Sequence, residues 1–170
     1  MTMIDALILH DIRSSHNVGS IIRTCDGFGV KKVYIGGITP YPRIIDDTRL
    51  PHIVEKLTKD IAKSALGAEI TTEIHHYDSI YELINELKKS NFRVLALEQS
   101  NKSININEAF ASKNKDVMLI GREVEGIDPN ILKLCDQVLE IPMKGQKESF
   151  NVSVATGIAL FQLTKTNPKQ

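Results

Sequence analysis

The chain has 170 residues, 42% hydrophobic and 25% charged, with a formal net charge of zero, which suits one domain with a sizeable core. No overall positive field exists, so a nucleic-acid partner has to be met by a local basic patch. There is no signal-peptide succession and no apolar run near the ~20 residues that span a bilayer, so a cytoplasmic protein without membrane contact is expected.

Ala6 to Leu9 reads as a short apolar strand, followed by a polar loop from His10 to His16. Asn17 is placed to cap a helix whose apolar positions Val18, Ile21, Ile22, Cys25 and Phe28 share a face, with Gly27 and Gly29 ending it. Lys32 to Ile35 is the second strand, stopped by Gly36-Gly37 before a loop holding Pro40, Pro42, Asp46 and Asp47. A helix follows from Pro51 to Leu66, with Ile53, Leu57, Ile61, Ala62 and Ala65 inward, Lys56, Lys59 and Lys63 outward, and Gly67 as its stop. Glu69 to His75 is a strand, and Ser79 to Lys89 a helix with Ile80, Leu83, Ile84 and Leu87 on one face, capped by Asp78 or Ser79. Arg93 to Leu97 is a strand, Gln99 to Lys115 a polar loop touched by Ile104 and Ile106, and Val117 to Ile120 a buried strand. Asp128-Pro129 opens a helix to Leu134.

The last strand runs from Val138 to Ile141; past Pro142 and Gly145, Ser149 or Asn151 caps a helix carrying Val152, Val154, Ala155, Ile158, Ala159, Phe161 and Leu163. That band is too wide for one buried stripe, so two faces are expected to be buried, one on the sheet and the other against a second subunit, the alternative being a helix wholly buried inside a monomer. Alternating elements without hairpin signals predict an α/β fold, a mostly parallel sheet with helices on both faces. Cys25 and Cys135 lie far apart without metal-ligand spacing and are expected to be buried free thiols.

Three strand-to-helix junctions gather the polar residues: Asn17 to Thr24, Gly121 to Gly126, and Ile141 to Met143 with Ser149 to Asn151. In parallel sheets ligands settle beyond the carboxyl ends of strands, where all three lie or nearly lie. The chain has no GxxxxGK[ST], and no GxGxxG follows the first strand, which disfavours both common nucleotide folds. His75 and His76 are adjacent and point to opposite faces of a strand, so no metal site is expected. Singly, each junction reads equally well as a cap, a packing point or a tight turn.

Together and in order, NxGxxxRT at Asn17 to Thr24, GxExxG at Gly121 to Gly126 and IPMxG with SxNVS from Ile141 to Ser153 resemble the SpoU (TrmH) family of RNA ribose 2′-O-methyltransferases, of the SPOUT class. The stretches from Cys25 to Val30 and Leu66 to Glu69 are similar as well. The resemblance implies a C-terminal part threaded into a trefoil knot, an exception to the unknotted rule. It also implies an S-adenosylmethionine pocket built from the end of the fourth strand near Leu97, the Gly121 to Gly126 turn and the segment Ile141 to Asn151. The glycines let backbone groups approach adenine and ribose, Ile141 and Met143 supply apolar walls, and Glu123 helps orient the site. Phe150 stands where the family more often has leucine, either packing on the cofactor or filling the core. The domain is expected to span residues 1–166 with 167–170 as a tail, without the accessory domains of some relatives.

A ribose hydroxyl is a poor nucleophile at neutral pH, so its proton must be accepted as the bond forms and the partners held at near-attack distance. Arg23 occupies the family's catalytic position. A guanidinium stays protonated at neutral pH and has no lone pair to offer as a base, so its expected role is to clamp the neighbouring phosphate and stabilise the developing alkoxide, with the final proton acceptor open. Asn17, Ser149 and Asn151 would orient hydroxyl, cofactor and loop, and in the family the arginine acts across a homodimer. Arg13, Arg23, Arg43 and Arg49 are candidate RNA contacts; Lys56, Lys59 and Lys63 read equally as a solvated helix face. A catalytically idle RNA-binding module would lack Arg23 or Asn151, and a base methyltransferase the NxGxxxR and SxN pair, whereas all of these are present.

Overall fold

The computed structural model describes residues 4–109, 115–122 and 125–164. The expected boundary at residue 166 and the tail 167–170 lie outside them. The elements are β1 (Ala6–His10), α1 (Ser15–Phe28), β2 (Lys32–Gly36), α2 (Pro51–Ala65), α3 (Ala68–Thr71), β3 (Glu73–Tyr77), α4 (Ile80–Lys89), β4 (Phe92–Leu97), β5 (Ile104–Asn105), β6 (Lys115–Ile120), α5 (Pro129–Leu132), β7 (Gln137–Glu140) and α6 (Val152–Thr164).

The α/β expectation holds. The strands form one seven-stranded sheet in the order β3-β2-β1-β6-β4-β7-β5, and every described pairing is parallel. Alternation along the strands divides the core. Leu7, Leu9, Val33, Ile35, Met118 and Ile120 pack with α1, α2 and α6, while Ala6, Ile8, Val94, Ala96, Val117 and Leu119 pack with α4 and α5. The chain winds outward from β1 to β3, then returns to β4 on the far side of β6, so the crevice at the strand ends falls where the winding reverses.

Several local expectations are corrected. Ser14, not Asn17, caps α1: its Oγ accepts the Asn17 N–H at 3.2 Å. Gly27 continues the helix, and Gly29, at φ 74°, ends it. Ile53 is 39% exposed because α2 turns Val54, Ile61, Ser64 and Ala65 inward. Gly19 sets that contact, since a Cβ there would overlap Ser64 Oγ and the Ile61 carbonyl. Residues 68–71 form one helical turn after Gly67, and β3 begins only at Glu73. The loop after β4 holds the edge strand β5 and a 3-10 turn, Ile106–Glu108, that buries Ile106. Pro129 opens α5 as expected, but it stops at Leu132.

Other expectations stand. Ser79 caps α4, whose Ile80, Leu83, Ile84 and Leu87 are all buried. Cys25 and Cys135 are free; Cys25 is buried, whereas Cys135 is half-buried, with its thiol pushed up to about 11 by burial. Among the described residues no helix is long and apolar enough to cross a membrane.

Candidate active site

The ends of β4, β6 and β7 enclose a cleft of about 300 Å³. Of the residues expected to hold a cofactor, Leu97, Gly121, Gly126, Ile141, Ser149 and Phe150 line it. Met143 is half-buried but off the lining, and Asn151 also stands outside it. Glu123 lies outside the described residues. Phe150 is 39% exposed while lining the cleft, so it does not fill the core.

The glycine turn after β6 is shaped by a residue that the sequence reading missed. Glu98, one position past β4, accepts the Ile127 N–H at 2.8 Å with Oε2 and the Gln99 N–H at 2.8 Å with Oε1. Gly126, at φ 71°, lies directly over this carboxylate, and a Cβ there would sit 2.5 Å from Glu98 Oε2. The second glycine is therefore fixed both by its backbone conformation and by the acid beneath it. The available signal was a lone carboxylate directly after the apolar run of β4. Gln99 Nε2 in turn donates to the Glu148 carbonyl at 2.9 Å, drawing the third junction over the cleft.

The first and third junctions meet through their asparagines. Asn151 Nδ2 donates to Asn17 Oδ1 at 3.3 Å, and Asn151 Oδ1 accepts the Ser153 N–H at 2.9 Å, which caps α6. One side chain thus starts a helix and reaches across to another motif. Arg23, further along α1, is exposed and has no ion-pair partner among the described residues.

The candidate RNA contacts divide. Arg13 is exposed beside the turn and pairs with Glu125 at 3.0 Å. Arg43 is exposed on the loop before α2. Arg49 is corrected: its guanidinium bonds Asp47 at 2.6 and 2.9 Å and the carbonyls of Tyr41 and Pro42, and it lies 3.5 Å over the Tyr41 ring. It is a strut of its own loop, and its hydrogen bond holds the buried Asp47 carboxyl well below the usual carboxylate range. Lys56, Lys59 and Lys63 are exposed, Lys63 pairing with Asp60.

The tRNA (guanosine(18)-2′-O)-methyltransferase of Aquifex aeolicus is 30% identical over 159 residues, covering 93% of this chain and 68% of the relative. That of Escherichia coli is 28% identical over 154 residues, and the chain spans only 60% of its length. Among solved structures, the A. aeolicus TrmH/SpoU tRNA modifying enzyme superposes with a TM-score of 0.76 at 27% identity, over 94% of this chain and 74% of that one. An AdoMet-bound rRNA methyltransferase from Sinorhizobium meliloti shares the fold with a TM-score of 0.79 at 21% identity, over 96% of this chain and 56% of that one. The family model described as SpoU rRNA Methylase matches residues 6–161, nearly all of the described fold and all three junctions, and the chain belongs to that family.

Proposed function

We propose that this chain transfers the methyl group of S-adenosylmethionine to a ribose 2′-hydroxyl of tRNA or rRNA, acting as a homodimer. The observation that carries the reading is that the second and third motifs line one cleft at the ends of β4, β6 and β7 and the first joins the third through the Asn17–Asn151 contact, with Arg23 exposed on α1. The cleft fits the cofactor: Leu97, Ile141 and Phe150 offer apolar surface, Gly121 and Gly126 leave backbone edges open, and Glu140 and Glu148 bring negative charge suited to a cationic sulfonium. When bound, the cofactor supplies the electrophilic methyl group. Asn17 and Asn151 orient the entering ribose, and Arg23 clamps the adjoining phosphate while its donors stabilise charge developing on the 2′-oxygen. Arg13 and Arg43 extend the basic contact, which is small, so RNA affinity falls steeply with salt. The segment from β6 to α6 is taken to be knotted, as one domain ending near residue 166; strands following β4 lie on both sides of it, which supports that reading.

The test is methylation of tRNA and rRNA from a strain lacking the gene, followed by mass spectrometry of the nucleosides. A 2′-O-methylated nucleoside is expected; methyl groups found only on bases overturn the reading.

The dimer reading rests on α6. Val152, Thr156, Ala159, Leu160 and Leu163 are buried, but Val154 and Phe161 are 50% and 57% exposed, and Ile158 between them is half-buried. Covering that stripe with a second copy would form the centre of an interface of about 800 Å² per partner. Mixing inactive Arg23→Ala and Asn151→Ala chains is expected to restore activity, because each heterodimer holds one site with both residues intact. Losing the Asn151 cap costs about 1 kcal/mol, so assay temperatures stay well below melting. No recovery after confirmed exchange would mean that Arg23 serves its own chain.

A further inference from the structure

Asp11 belongs to none of the three motifs, yet its carboxylate ties the second of them to the end of β2. Immediately after β1 it adopts φ 60°, in the left-handed region that aspartate tolerates better than most side chains. That bend carries the carboxylate over the end of β2, where Oδ1 accepts the Ile38 N–H at 3.0 Å. Gly37 makes the room, since a Cβ there would collide with Asp11 Oδ1. Oδ2 accepts from Arg122 Nε at 2.9 Å and Nη2 at 2.6 Å. Burial works to raise the Asp11 pKa, but the Ile38 N–H and the Arg122 guanidinium outweigh it and hold the carboxyl below its usual value, so the group stays charged at neutral pH.

Arg122 is the second residue of the glycine turn. It lines the cleft and forms a backbone bridge with Gly126. Of the other carboxylates around it among the described residues, Glu125 is engaged by Arg13 and Asp128 accepts the Asn130 N–H. A carboxylate fixed to the ends of β1 and β2 therefore tethers the turn from one side, and Glu98 holds it from the other. We infer that Asp11 and Arg122 act as one positioning unit that sets the glycine turn for tight S-adenosylmethionine binding. The inference rests on reading the cleft as the S-adenosylmethionine site. A pair whose arginine is 41% exposed adds little to global stability, so its effect belongs in ligand affinity.

The experiment titrates S-adenosylhomocysteine by calorimetry into the parent, Asp11→Asn, Arg122→Gln and the double variant, with melting temperatures measured in parallel. Each single change is expected to weaken binding about ten-fold and the double change also about ten-fold, because two members of one unit are not additive. Arg122→Lys, which keeps the charge without the planar fork, should weaken binding less than Arg122→Gln. Unchanged affinity in either single variant, or about a hundred-fold loss in the double, overturns the coupling. Loss of affinity that merely follows a lowered melting temperature also overturns it, in favour of a structural role. A parent protein that binds no S-adenosylhomocysteine refutes the assignment of the cleft itself.

Discussion

Arg23→Lys is expected to cut methyl transfer by about a hundred-fold or more while leaving S-adenosylmethionine affinity nearly unchanged. The side chain is exposed on α1 and does not line the cleft, so its loss removes nothing from the walls of the proposed cofactor site. α1 is held by Val18, Ile21, Ile22 and Cys25, all fully buried, so the substitution leaves the fold intact. Lysine retains the charge but presents a point where arginine presents a planar fork, and holding a phosphate oxygen together with a developing alkoxide needs two donors in fixed relation. Calorimetry with S-adenosylmethionine and single-turnover methylation of tRNA or rRNA separate the two effects. Equal turnover by the lysine variant would rule out the assigned role.

The sequence made the fold readable wherever apolar spacing decided the outcome. α4 is the clearest case, because Ile80, Leu83, Ile84 and Leu87 fall on one face and Ser79 is its cap. Where two residues compete for one local job, spacing does not decide. Ser14 and Asn17 are both good caps three positions apart, and only the fold shows that Ser14 Oγ accepts the Asn17 N–H. Charge alone was also ambiguous: Arg49 looked like an RNA contact, but Asp47 two residues earlier and the Tyr41 ring take its guanidinium. The breadth of apolar surface on α6 was legible, and the single chain buries only one of its faces.

The site divides along the same line. Its motifs were legible because their residue types and order are specific, and Leu97, Gly121, Gly126, Ile141, Ser149 and Phe150 do line one cleft. Its supports were not. Glu98 and Asp11 shape the glycine turn through hydrogen bonds to residues 29 and 111 positions away, and only the parallel sheet brings them together.

Those supports determine what Gly121→Val would do. A Cβ at Gly121 would overlap Ile127 Cγ1 and stand 3.2 Å from the Ile127 nitrogen, so the valine collides with the far end of its own turn before reaching any ligand. Ile127 cannot retreat easily, being 6% exposed and packed in the core shared with α4 and α5. Moving it would pull its N–H from Glu98, the bond that holds the turn against β4. The expected result is a loss of S-adenosylmethionine affinity of a hundred-fold or more, together with a stability cost of about 1–3 kcal/mol for overpacking. Calorimetry below the lowered melting temperature reads the first effect and denaturant unfolding the second. Parent-like affinity in a folded Gly121→Val protein would show that the turn can carry a side chain, and the cofactor would then have to lie away from it.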